Sequence, residues 1–160
     1  MAMQGEGEKG AVQIHQSLAT LRALGVEIGR PLYLGWLAEV HQKIGRAEEG
    51  LSVLDEALEV VNRTEERWFE SELYRLKGKL TLQSSVQSLE SGVKEAEAYF
   101  RKAIEIAQKQ RAKSLELRAV MSLVRLRQQQ VSEDASRITR EARRSAPYAI
   151  RGLQLVHRRV

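Results

Sequence analysis

Cysteine is absent from this 160-residue chain. Disulfide frameworks, thiolate zinc sites and thiol nucleophiles are excluded with it. Proline occurs only at Pro31 and Pro147, and aromatic residues make up 5% of the chain, which removes most of the punctuation and packing material of a β fold. Aspartate is confined to Asp55 and Asp134, so the other 19 acids are glutamates. Magnesium, calcium and phosphoryl-transfer sites lean on loop aspartates, and neither an EF-hand spacing nor a glycine-rich phosphate loop occurs. No apolar run approaches a membrane span and the start MAMQGEGEKG lacks a basic then apolar leader pattern, so a cytoplasmic chain without membrane contact is expected. His15, His41 and His157 are too scattered to form a metal motif.

What the chain has is charge, 29% of residues, with a net +5 that is unevenly placed. Residues 131–160 carry seven arginines, no lysine, and only Glu133, Asp134 and Glu141 in opposition. The preceding body is close to neutral, so the basic character belongs to the tail.

Three segments align without gaps: EKGAVQIHQSLATL from Glu8, EEGLSVLDEALEVV from Glu48 and KEAEAYFRKAIEIA from Lys94. Each places a small residue (Gly10, Gly50, Ala96), then a large one four later (Ile14, Leu54, Phe100), then a small and a large neighbour (Ser17-Leu18, Ala57-Leu58, Ala103-Ile104). Offsets of 4, 7 and 8 trace one face of a helix. Between the copies, stretches from Pro31, Arg67 and Lys113 are long enough for further helices, with Pro31 suited to a first turn and Gly45 to a left-handed helix end. The unit is helix, short turn, helix, and a polar loop is expected over Gln83–Gly92, with its four serines.

Leu34, Leu37-Ala38, His41, Gly45, Gly50, Leu54, Ala57 and Leu58 sit at the offsets of the tetratricopeptide repeat, which this segment resembles. His41 stands where that repeat usually has tyrosine and Gly50 where it has alanine. Over roughly residues 5–130 the chain is similar to the repeats near the C-terminal end of large bacterial signalling ATPases, the cyclase-like and transcription-regulator-like multidomain proteins. From Val131 onward the likeness stops, at the point where the charge rises. The resemblance implies an all-α solenoid of antiparallel helix pairs, about seven helices, that binds proteins and performs no catalysis. The domain organisation expected is a disordered tail over 1–7, repeats over 8–130, and a divergent arginine-rich segment over 131–160.

In such repeats the first helix of each pair lines a concave groove. With Ala38 and Gly78 as packing references, the groove-facing residues are Gly35, Glu39, Gln42 and Lys43, then Arg75, Lys79 and Gln83, then Arg118, Met121, Arg125 and Gln128. Bases outnumber Glu39 and Glu72 there, which suits an acidic or C-terminal peptide, since carboxylates pair with arginine forks. The carboxylate clamp of chaperone-binding repeats needs groove asparagines, and the only asparagine is Asn62. Trp68 and Phe69 are expected at a helix start, Trp36 between repeats, and His15 and His41 in packing roles. No catalytic residue, metal ligand or cofactor is expected.

Two further expectations follow. Ser132 caps a separate tail helix with a thin stripe of Ala135, Ile138 and Ala142, ending before Pro147; its arginines, with Tyr148 for stacking, offer nucleic-acid binding as the alternative function. The helix from Glu8 has no first helix before it, which leaves a flank of Val12, Ile14, Leu18, Leu21 and Leu24 uncovered and points to a homodimer through Ile14, Leu18 and Leu21.

Overall fold

The computed structural model describes residues 2–84 and 89–156, with side-chain surroundings defined over 5–84 and 90–144. The described residues form six helices and no strand: α1 Ala2–Ala23, α2 Arg30–Lys43, α3 Ala47–Thr64, α4 Glu70–Gln83, α5 Leu89–Lys109 and α6 Lys113–Val156. None of them is long and apolar enough to cross a membrane. By contact, the chain divides into Met1–Leu123 and Val124–Val160.

Among the described residues the count is six helices, not seven, because the tail does not start a helix of its own at Ser132. Neither glycine nor proline interrupts the chain between Lys113 and Ala146, so nothing ends the helix at Ser132; α6 also continues past Pro147, where the expected end was placed and where the ladder lacks one N–H. The segment 1–7 is also not a disordered tail, since α1 begins at Ala2. Two glycines there cost about 1 kcal/mol each in helix propensity. Gly7 is nevertheless useful: a Cβ on it would lie 2.5 Å from Ile44 Cγ2, so only glycine lets the end of α2 approach this closely. Of the expected loop at Gln83–Gly92, residues 89–92 belong to α5 and residues 85–88 lie outside the described residues.

Residues 44–46 alone link α2 to α3, and so short a link returns the chain antiparallel. Gly45 takes φ 78°. Arg46 N–H donates to His41 O at 2.9 Å and Gly45 N–H to Gln42 O, the paired bonds that close a helix end around a left-handed residue. Each of α1 to α4 packs on the next helix in the chain, α4 on α5 included, and α2 also touches α4. The core of the first unit gathers Leu34 and Ala38 from α2, Leu54, Ala57 and Val61 from α3, and Leu73, Leu76 and Leu80 from α4.

Gly50 and Gly78 are where neighbours press in. A Cβ on Gly50 would stand 2.9 Å from Leu80 Cδ1 and 3.3 Å from His41 Cβ; one on Gly78 would stand 2.6 Å from Phe100 Cε1 and 3.0 Å from the Ala96 carbonyl oxygen. Ala38, Ala57, Ala96 and Ala103 are fully buried. Ser71 Oγ donates to the Ala103 carbonyl at 2.9 Å, tying α4 to α5 inside the core.

In the second unit, Leu126 is buried, whereas every residue from Val131 to Arg144 is exposed.

Candidate interaction surface

The expected groove residues divide into those that face solvent and those that do not. Lys43 is exposed, Glu39 and Gln42 are half-buried, and Lys43 Nζ lies 3.6 Å from Glu39 Oε1, one turn away on α2. Lys79 is half-buried and Gln83 exposed on α4. Met121 is exposed on the first part of α6, and Arg125 and Gln128 are exposed in the second unit.

Gly35 and Arg75 are not solvent-facing. Gly35 is buried because the start of α4 lies on it: its Cβ would be 2.8 Å from Phe69 Cε1 and 3.2 Å from Leu73 Cδ2. Arg75 is 6% exposed and grips Glu72, itself 3% exposed, through Nε to Oε2 at 2.8 Å and Nη2 to Oε1 at 2.7 Å. Arg118 of α6 reaches the same Oε1 with Nη2 at 2.7 Å while its side chain stays half exposed. Two expected groove bases thus converge on one buried carboxylate. The i, i+3 spacing of Glu72 and Arg75 puts both on one face of α4. The sequence signal was the charged pair inside SELYRL, a stretch apolar enough to be buried.

A second polar cluster was not foreseen. A cavity of about 220 Å³ is lined by Asp55 of α3, Lys77 and Thr81 of α4, and Glu95 and Tyr99 of α5, among others. Lys77 Nζ is 2.5 Å from Asp55 Oδ1 and 5.1 Å from the centre of the Tyr99 ring, whose hydroxyl donates to Glu95 at 2.9 Å. Burial pulls the Lys77 ammonium down, but the Asp55 carboxylate outweighs it and the pKa ends above the ordinary lysine value. Burial and the Glu95 acceptor raise that of Tyr99.

The expected roles of the aromatic and histidine residues hold in part. Trp68 Nε1 donates to Glu66 at 2.8 Å, and the same carboxylate accepts the Gly29 N–H that opens α2. Trp36 is 48% exposed and meets Tyr33 edge-on, so it borders a groove instead of filling space between repeats. His15 is exposed. His41 is buried, its Nδ1 making no hydrogen bond and lying 3.6 Å from Glu49 Oε2. Burial pushes its pKa below the ordinary imidazole value; Glu49 opposes the shift, and His15 and Arg46 add to it.

A folded state that holds His41 neutral loses stability when the unfolded chain can take up the proton. Stability is therefore complete above an unfolded value of about 6.5 and falls as pH drops through the depressed folded value. The melting temperature is expected to decline from neutral toward mildly acidic pH, with a shallower decline in His41→Gln. An equal slope in the two proteins would show that His41 does not set it.

Ile14, Leu18 and Leu21, expected at a self-association face, are half-buried. They line a groove of about 910 Å³ with Gly10, Ser17, Tyr33 and Trp36. Among the described residues no three metal-ligating side chains come together. Tyr148, Arg151, Arg158 and Arg159 fall where side chains lie outside the described residues.

Comparison of the chain with protein-family models, curated proteins and solved structures finds no match.

Proposed function

We propose that this chain is a non-catalytic protein-interaction module of tetratricopeptide type, related to the repeats of large bacterial signalling ATPases, that binds a peptide or a partner domain. The observation that carries the reading is the recurrence of Gly50 and Gly78 at points where a Cβ would collide with the neighbouring helix. A stack built on such contacts leaves one helix face of each pair outward along its length. Of the polar residues on that face Lys43 and Gln83 are exposed, with Glu39, Gln42 and Lys79 half-buried. Their mixed charge fits a peptide with acidic side chains or a free carboxylate.

The test is fluorescence anisotropy with a labelled Asp/Glu-rich peptide. Lys43→Glu should weaken binding by a few fold, on the order of 1 kcal/mol, with the melting temperature unchanged, because Lys43 is an exposed rim charge. Equal binding by wild type and variant would remove Lys43 from the site.

The alternative, nucleic-acid binding, is favoured by one observation: Arg137, Arg140 and Arg144 are exposed and spaced to share one face of α6. A single-stranded oligonucleotide whose affinity falls steeply with salt, and is lost in Arg140→Glu/Arg144→Glu, would establish it.

A further inference from the structure

The groove between α1 and α2 has the lining of a core without its contents. Its walls include Gly10, Ile14 and Ser17 of α1 and Tyr33 and Trp36 of α2. Forty residues on, the same positions are Gly50, Leu54 and Ala57 of α3 and Leu73 and Leu76 of α4, and all five are buried. The space beside those five is taken by α2, which places Leu34 and Ala38 in their cluster and His41 Cβ against Gly50. At Gly10 an added Cβ would meet nothing within 4 Å. The groove of about 910 Å³ is therefore an empty berth for one helix, of the kind that α2 supplies to α3 and α4.

A helix with the right face is present in the chain. α2 fills the core with Leu34, Leu37 and Ala38, at offsets 0, 3 and 4, and these are 3%, 0% and 0% exposed. α6 occupies the corresponding place in the helix order, after the third repeat copy, and carries Leu117, Val120 and Met121 at the same offsets, 60%, 37% and 43% exposed. We propose that the berth on α1 receives α6 of a second copy of this chain, which lays Leu117, Val120 and Met121 over Gly10, Ile14 and Ser17. The contact joins two different surfaces, so copies associate head to tail, and each junction completes the helix pair that α1 begins. This departs from the two-fold contact through Ile14, Leu18 and Leu21, in which one surface would cover itself. It rests on the helix-pair reading of the proposed function.

Sedimentation equilibrium on the full chain at micromolar concentrations tests it with two variants. Wild type should show a mass that rises with concentration beyond a dimer. Gly10→Leu fills the berth at a position with free space around it, so it should reduce association by at least about tenfold while keeping or raising the melting temperature. Met121→Glu should do the same from the other surface. Mixed in equal amounts, the two should form a heterodimer and nothing larger, because each retains the surface the other lacks. A monomeric wild type, or variants that fail to recombine, would overturn the proposal; association that survives Met121→Glu would exclude α6 as the occupant. Gly50→Leu in the same series separates this from the underlying reading. If it melts lower while wild type is a monomer, only the docking is wrong; if it melts unchanged, the helix pairing itself is wrong.

Discussion

Replacing Arg75 with alanine is expected to cost about 3–5 kcal/mol of stability, the usual penalty for removing one partner of a buried ion pair. Glu72, 3% exposed, would be left with only Arg118 on one oxygen, and Oε2 would lose its Nε donor. In a unit of this size the melting temperature should fall by roughly 10–20 °C. Glu72→Ala should be comparably severe, since it leaves the buried Arg75 guanidinium without its carboxylate. The double replacement Glu72→Leu/Arg75→Leu should cost less than either alanine variant, because no uncompensated charge is left inside. Arg101→Ala, which removes an exposed side chain paired one turn away with the half-buried Glu97, is the control and should change stability by about 1 kcal/mol or less. Thermal melts of the four variants decide the matter. A loss at Arg75 no larger than that at Arg101 would mean that water reaches the cluster.

Phe100→Ala should be the largest single core effect, at about 3–5 kcal/mol. The ring is 1% exposed and lies across α4 at Gly78, where no side chain stands. Its removal opens a void that two helices, held by the Ser71 bond to the Ala103 carbonyl, cannot easily close. Gly78→Ala tests the same contact from the other side. Relief of the glycine helix penalty favours alanine by about 1 kcal/mol. Against it stand a ring carbon at 2.6 Å and the Ala96 carbonyl oxygen at 3.0 Å, and the backbone atom cannot rotate away. The net is expected to be a loss of about 1–3 kcal/mol. Placing Gly78→Ala in a Phe100→Leu background should recover part of it, as residues in contact do not act additively. Denaturant titration of the four proteins gives the coupling, and a coupling of zero would mean the helices slide apart without cost.

Repeat offsets, with Pro31 and Gly45 as end signals, were enough to place α2, α3 and the body of α5, and to single out Ala38, Gly50 and Ala57 as positions with little room. Helical periodicity and small-residue spacing are local properties of the chain, and both survive into the packed state. The end of α2 at Gly45 was legible for the same reason, because only a left-handed residue closes it this way.

Burial of polar groups was not legible in this way. Arg75 falls on the same helical stripe as Lys79 and Gln83, yet Arg75 is inside while Gln83 is out. The difference is set by Glu72 beside it and Arg118 arriving from α6, 43 residues further along the chain. Gly35 shows the same dependence, since what fills the space above it is Phe69 at the start of α4. At the N-terminal end of α1, Gly7 is likewise met by Ile44 from just past the end of α2, 37 residues along the chain. Periodicity assigned a face to each residue of this protein, while the tertiary structure decided which faces lost their water, because desolvation depends on atoms that are distant in sequence.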